Sequence, residues 1–318
     1  MNIISPAPKS PQFLQVAVGV IKNDVGEILI SQRPMQVHQG GLWEFPGGKI
    51  EAGESVKYAL TRELREELAI CVEHCEPLIK IHHHYSDVSV MLDVWLVEQF
   101  SGIAKGQEGQ TIRWVSIHEL ANYDFPAANL PIIHAAQLPC FYAILDDTHP
   151  NYLIPHLHTL LSKNIQLIQA RLKNLSAQAV EAFFQYAVPL CQKKGVQLLL
   201  NSAVKNVEKF EVGLHLTSHD LMQLNTRPKI NGWLAASCHN LAQLQHAEKI
   251  GIDFAVLSPV LKTATHPEAS ILGWEQFSEL IMHVNIPVYA LGGLTSADKT
   301  IARHFGGQGI AGIRTFLR

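Results

Sequence analysis

Residues 46–70 read PGGKIEAGESVKYALTRELREELAI. Glu63, Glu66 and Glu67 stand at i, i+3 and i+4, so a helix here puts their carboxylates on one face. Like charges that close repel unless something positive sits among them. Oxygen-only ligands select a hard cation, and Mg2+, or Mn2+ in its place, joins carboxylates to substrate phosphates. Pro46, Gly47 and Gly48 form a turn, and Gly53-Glu54-Ser55 predicts a helix start that runs to about Leu68. Val56, Ala59, Leu60, Leu64 and Leu68 give the opposite face its apolar stripe. A plainer reading is a solvated acidic helix braced by ion pairs, since Arg62 lies four residues before Glu66. The glycine-rich entry and the full spacing favour the cation.

Two further groups of residues invite chemistry. Cys71, His74, Cys75 and the run His82-His83-His84 suggest zinc, but they lack a paired CxxC framework. In an alternating strand the three histidines cannot face one ion, and they read as ordinary surface and core residues. In the second half, Gln169, Arg171 and Lys173 alternate at the end of an apolar run, and Gly292-Gly293 closes another.

The elements that must position these residues differ between the two halves. Residues 13–130 carry strand-like runs at 14–21, 27–33 and 88–100 around one helix, which predicts an α+β arrangement with a mixed sheet. Residues 1–12 read as a flexible N-terminus, and 131–139 as a linker. From Cys140 short apolar strands alternate with helical segments. The strands are expected at 141–145, 165–171, 196–201, 213–216, 232–237, 254–258, 287–293 and 309–313, with helices such as Ala177 to Lys194 and Asn240 to Ile250 between them. Eight such units predict an α/β (β/α)8 TIM-type barrel over 140–318, with its working site at the C-terminal strand ends. Its closing helix is expected to be nearly absent.

Composition narrows the functions. The chain has 318 residues, 47% of them hydrophobic and 17% charged, enough for a core in each of two domains. A formal charge of −3 leaves no basic footprint for a nucleic-acid polymer, and points to a small phosphate ester. No apolar run reaches membrane-spanning length, so no membrane partner is expected. Five scattered cysteines fit reduced thiols in the cytoplasm.

The stretch from Gly48 to Ile70 resembles the Nudix box, Gly-x5-Glu-x7-Arg-Glu-U-x-Glu-Glu-x-Gly-U with U apolar. Ala69 is the one departure, standing where the family has Gly. QVAVGVI, the SQRP turn, WEFPGGKIE, KGQEGQ followed by Trp114, and DFPAAN extend the resemblance to MutT-type 8-oxo-dGTP diphosphatases over roughly residues 13 to 135. That resemblance implies Nudix hydrolysis of 8-oxo-dGTP to 8-oxo-dGMP and pyrophosphate. It implies nucleotide contacts from Arg33, His38, Glu44, Phe45, Pro46 and Gly47, with Asn129 reading the oxidised purine edge. It also implies metal ligands at Glu63, Glu66, Glu67, Glu108 and the Gly47 carbonyl. Arg62 is expected to orient the carboxylates, and Glu63 or Glu54 to act as general base.

Residues 140–318 resemble the thiamine-phosphate synthase and TenI (thiazole tautomerase) barrels. Gln169-x-Arg171-x-Lys173, GLHL followed by Asp220, Ser237-x-His239, Ser258-Pro259 with Thr263 and Thr265, and Gly292-Gly293 carry the likeness. The resemblance makes these the ligand site for a thiazole or thiamine phosphate. Two departures weaken a synthase reading: Ser202 stands where the family has a metal-binding Asp, and His266 where it has a loop Lys. A phosphate-binding barrel without synthase activity is therefore expected, with tautomerase-like chemistry at His239 and a full synthase as the alternatives. Two further readings remain open. The Nudix domain could hydrolyse thiamine-pathway diphosphates coupled to the barrel, or the barrel could serve as a non-catalytic ligand sensor.

Overall fold

The computed structural model describes residues 14–37, 39–84, 89–147, 149–204, 209–263, 268 and 270–317. Segment 1–12, His38, Thr265 and His266 therefore lie outside the described residues. The chain divides into two compact units, with the boundary between Leu130 and Pro131.

The first unit contains β1 (Leu14–Ile21), β2 (Glu27–Gln32), β3 (Trp43–Glu44), β4 (Gly47–Lys49), helix α1 (Val56–Leu68), β5 (Cys71–His84), β6 (Ser89–Ser101) and β7 (Ile112–Ser116). Four strands form a sheet in the order β4-β1-β6-β5, and the other three a sheet in the order β3-β2-β7. Only β1 and β6 pair in parallel, so the first sheet is mixed as expected. Helix α1 starts at Ser55, whose hydroxyl accepts the Tyr58 N–H at 3.3 Å and so satisfies one of the end donors. It buries Ala59, Leu60, Leu64 and Leu68 against Ala17, Ile21, Leu29 and Val97. That leaves the glutamates on the face away from the core. Ala69 ends the helix in the left-handed region, at φ 57°, the conformation that glycine adopts with least strain.

In the second unit the strands are β8 (Phe141–Asp146), β9 (Leu167–Arg171), β10 (Gln197–Asn201), β11 (Gly213–Leu216), β12 (Leu234–Cys238), β13 (Phe254–Leu257), β14 (Val288–Leu291) and β15 (Gly309–Gly312). They close into an all-parallel barrel. Its interior layer is built from Tyr142, Leu167, Leu199, Phe254, Val256 and Tyr289 among others. Between the strands run α3 (Leu153–Ser162), α4 (Ala177–Lys193), α5 (Ser218–Gln223), α6 (Leu241–Lys249), α7 (Gly273–Ile281) and α8 (Lys299–His304).

The stretch read as a linker folds instead as helix α2 (Leu130–Gln137). Its apolar residues have somewhere to go: Ile132, Ile133 and Ala135 are buried, and Leu138 joins the interior layer. The buried Gln308 side chain donates to the carbonyls of Ala135 and Leu138, both at 2.9 Å. This segment thus covers the N-terminal end of the barrel strands. At the other end of the chain, residues 313–317 form turns, and Phe316 packs on Phe141.

Candidate functional site

In the first unit the carboxylates are organised by one guanidinium. Arg62 donates through Nε and Nη2 to the two oxygens of Glu54, at 2.9 and 3.0 Å. Its Nη1 reaches Glu63 at 2.8 Å and Glu66 at 3.5 Å, and Nη2 also reaches the Lys49 carbonyl at 3.0 Å. Glu54 also accepts the Glu51 N–H at 3.0 Å. The Arg62 hydrogen bonds, then the Glu51 N–H, hold the Glu54 carboxyl down at about 2. Glu54 thus meets the other carboxylates through Arg62.

Glu67 is the opposite case. Burial, followed by the charges of Glu44, Glu63 and Glu108, pushes its carboxyl up to about 8. The Gly47 N–H, donated to Glu67 Oε2 at 3.3 Å, opposes this weakly. Gly47 and Gly48 make the approach possible. Gly47 lies at φ +149°, and a Cβ on Gly48 would land on the Glu63 carboxylate. Glu66 points outward, with a side chain 61% exposed. Among the described residues no three His, Cys, Asp or Glu side chains form a ready-made coordinating group. The donor set nevertheless fits a hard divalent cation, because the charges of Glu44, Glu63 and Glu108 around Glu67 disfavour its ionisation and a cation would compensate them.

Beside this cluster lie the residues assigned to the nucleotide. Arg33, the residue after β2, forms an ion pair with Glu44 on the neighbouring strand β3. Burial raises the Glu44 pKa, and Arg33 opposes it. Phe45 is 3% exposed and stacks on Phe125 with ring centroids 5.4 Å apart, so its side chain belongs to the core and leaves only main chain for a ligand. Pro46 is buried too, and its carbonyl accepts the Gly19 N–H at 2.8 Å. Asn129 ends a short 3-10 turn at 7% exposure. Among the described residues its side-chain amide makes no hydrogen bond.

Inside the barrel a buried polar chain links four strands, and charged residues follow at the C-terminal ends of β9 and β11. Gln169 Nε2 donates to the Tyr142 hydroxyl at 3.2 Å, which meets His215 Nδ1 at 2.9 Å. His215 Nε2 meets Ser237 Oγ at 2.8 Å. Burial, aided by Arg171, pushes His215 down to about 3, so this chain is neutral. Lys173 lies within reach of the charges of Arg171, Asp220 and Asp147, and burial and Arg171 lower its pKa. His239 Nδ1 sits 2.9 Å from the Ser258 carbonyl. A carbonyl only accepts, so Nδ1 carries a proton in this contact. Gly292 and Gly293 adopt φ +111° and +70°, and the loop of Pro259 to Lys262 occupies the space their side chains would need.

A Mg2+ ion does not fit this second site. Asp220 Oδ2 accepts hydrogen bonds from the hydroxyls of Ser202 and of Thr217, the latter at 2.7 Å. The Ser202 hydroxyl accepts the Thr217 N–H at 2.9 Å. The carboxylate thus has two hydroxyl donors as partners, and position 202 offers it a hydroxyl in place of a second carboxylate.

Comparison with known proteins follows the same division. A family model described as thiamine monophosphate synthase matches residues 141–316, and one described as NUDIX domain matches residues 17–135. The 8-oxo-dGTP diphosphatase of Escherichia coli is 43% identical over 120 residues, covering 38% of this chain and 93% of that protein. The CTP pyrophosphohydrolase of the same organism is 39% identical over 124 residues, 39% of this chain and 91% of that protein. A protein of Aquifex aeolicus, provisionally named thiamine-phosphate synthase 2, is 34% identical over 190 residues, 57% of this chain and 99% of that protein. The chain belongs to the Nudix and thiamine monophosphate synthase families.

The Nudix domain brings Glu54, Arg62, Glu63, Glu66 and the Glu67/Glu44/Glu108 group into one charged cluster. It does not bring the Phe45 ring to that surface. The synthase-family barrel unites Gln169, Arg171, Lys173 and Asp220, and places His239 against Ser258. Thr263 is described on the loop after β13. Sequence reasoning missed Gln110, whose amide joins Glu67 to the Glu108 loop. It also missed Asp147, which is buried and accepts the N–H groups of Asn174 and Leu175 at 2.6 and 3.0 Å. Both act through main-chain partners, which leave no residue-type signature.

Proposed function

We propose that the Nudix domain hydrolyses 8-oxo-dGTP between its α and β phosphorus atoms, yielding 8-oxo-dGMP and pyrophosphate. Its role is to clear oxidised guanine nucleotides from the cytoplasmic pool before polymerases use them. The observation that carries the base assignment is Asn129, a nearly buried amide without a hydrogen-bond partner among the described residues. An amide both donates and accepts, as an edge carrying a carbonyl beside an N–H requires. The 43% identity to an 8-oxo-dGTP diphosphatase supports the same substrate.

Glu63, Glu66, Glu67, Glu108 and the Gly47 carbonyl would hold Mg2+, with Mn2+ as a substitute. When bound, the ion neutralises phosphate charge and acidifies a water. Arg62 fixes the carboxylates of Glu54 and Glu63 by charge-assisted hydrogen bonds. We assign the general base to Glu63, which would take the attacking water's proton while not coordinated to the ion, as pyrophosphate leaves; Arg62 holds Glu54 by both carboxylate oxygens and Glu63 by one.

The barrel is read as a metal-independent site for a singly phosphorylated ligand such as thiazole phosphate or thiamine phosphate, and not as a working synthase. Arg171 and Lys173 supply charge, and Ser202 and Asp220 satisfy each other without a cation.

The test is hydrolysis by the full-length protein with Mg2+, followed as pyrophosphate release from 8-oxo-dGTP, dGTP and CTP and as inorganic phosphate release from thiamine diphosphate, scored as kcat/KM. A large preference for 8-oxo-dGTP is expected. Preference for CTP would favour the reading suggested by the second Escherichia coli relative, and preference for thiamine diphosphate would place both domains in one pathway.

A further inference from the structure

Strands β6 and β7 are joined by residues 102–111, which include Gly102, Gly106 and Gly109 and carry Glu108. Glycines leave such a loop many conformations, so a carboxylate on it needs an anchor. The end of α1 supplies one, because the last carbonyls of a helix lack partners within it. Lys105 N–H donates to the Leu68 carbonyl at 3.0 Å, and Gln107 N–H to the Glu67 carbonyl at 2.9 Å.

Gln110 completes the anchor with its side chain. Its Nε2 donates to the Glu67 carbonyl at 3.0 Å, and its Oε1 accepts the Glu108 N–H at 2.9 Å. These partners fix the orientation of the amide, since a carbonyl only accepts and an N–H only donates. Gly106 leaves the amide its space: a Cβ there would stand 3.0 Å from Gln110 Oε1. One side chain therefore ties the main chain of Glu67 to that of Glu108. No other side chain among the described residues hydrogen-bonds the Glu108 main chain.

We propose that Gln110 is a positioning residue of the cation site, holding the Glu108 loop on the end of α1 so that the Glu108 carboxylate is delivered beside Glu67. The proposal rests on the reading of Glu67 and Glu108 as ligands. Gln110 itself contacts neither cation nor substrate.

The experiment is Mn2+ binding to the full-length protein, followed by loss of the free-ion electron paramagnetic resonance signal. The set is wild type, Gln110→Ala, Glu108→Gln and the double variant. Glu108→Gln should weaken Mn2+ binding about tenfold and Gln110→Ala by a similar factor. The double variant should bind no more weakly than Glu108→Gln alone, because Gln110 acts through that carboxylate. Gln110→Leu, which keeps the bulk and loses both hydrogen bonds, should repeat the result if the alanine variant fails to fold. Wild-type affinity in Gln110→Ala or Gln110→Leu would overturn the proposal, as would fully additive losses in the double variant. Unchanged binding by Glu108→Gln would overturn the ligand reading beneath it, and the proposal with it.

Discussion

Replacing Glu67 by Gln should make the metal-free Nudix domain more stable while removing its activity. The carboxyl of Glu67 is held up at about 8, against an ordinary value of 4.5, by burial and by Glu44, Glu63 and Glu108. The unfolded chain gives up this proton near pH 4.5, whereas the folded one keeps it to about pH 8. The stabilisation tied to the proton is thus fully present below pH 4.5, declines as pH rises, and is gone above about pH 8. At roughly 1.4 kcal/mol per pH unit the ceiling is about 5 kcal/mol. Solvent screening at a half-buried site reduces this to on the order of 2 kcal/mol. Glutamine does not titrate, and its amide oxygen can still accept the Gly47 N–H. Differential scanning calorimetry in EDTA should therefore show equal melting temperatures near pH 4.5. By pH 8 the variant should lead by about 8 °C, given roughly 4 °C per kcal/mol for a domain of this size. Adding Mg2+ should close that gap by stabilising the wild type, and turnover of the variant should fall roughly 100-fold or more. A variant less stable than wild type at pH 8 in EDTA, or a gap that does not change with pH, would refute the argument that these carboxylates are held in excess.

Three other substitutions probe separate parts of the chain. Ala69→Gly relieves a left-handed alanine at φ 57° and should stabilise the Nudix domain by about 1 kcal/mol in urea unfolding; a destabilised variant would show that the helix exit carries no such strain. Asn129→Ala should lower the ratio of kcat/KM for 8-oxo-dGTP over dGTP about tenfold or more, the equivalent of a lost base-edge hydrogen bond; an unchanged ratio would remove Asn129 from base reading. Ser202→Asp sets a second carboxylate against Asp220 in place of a hydroxyl donor. It should cost the barrel about 1–3 kcal/mol in EDTA, partly restored by Mg2+; stability indifferent to Mg2+ would mean that this pair of positions no longer holds a cation in any form.

What could be read from residues alone followed periodicity. Helix α1 was legible because its apolar positions recur at three and four residues, and the barrel strands because each is a short apolar run bounded by turn residues. Strand β5 was not legible as a regular strand. Its register shifts between Val72 and His74, His74 and Cys75, and Pro77 and Ile79 break the alternation that marks a strand. Helix α2 reads as a linker because it is eight residues long with Pro131 at its start, and because Leu138, one residue past it, packs on barrel residues far away in sequence. In the site, the glutamates of α1 stood out by spacing. The separate fates of Glu54 and Glu67 did not, because they depend on which carboxylate Arg62 reaches and which is buried among its own kind.

The two domains treat acidic residues in contrasting ways, and the contrast bears on which of them uses a metal. An acid buried near other acids must keep its proton, find a donor or bind a cation. Glu67 has Glu44, Glu63 and Glu108 around it and one long hydrogen bond from Gly47, so in the absence of a cation it keeps its proton. A divalent ion would release that proton and bind more tightly as pH rises, as a hydrolase working on phosphate esters needs. Asp220 instead receives two hydroxyl donors from its own strand ends. A cation there would have to displace those hydrogen bonds and would find one carboxylate where the synthase pattern supplies two. Beside Asp220 stand the cations Arg171 and Lys173, with Asp147 also in reach of Lys173, and the two cations would match a phosphate. The surroundings of each carboxylate thus support the proposal of metal chemistry in the first domain and metal-free phosphate recognition in the second.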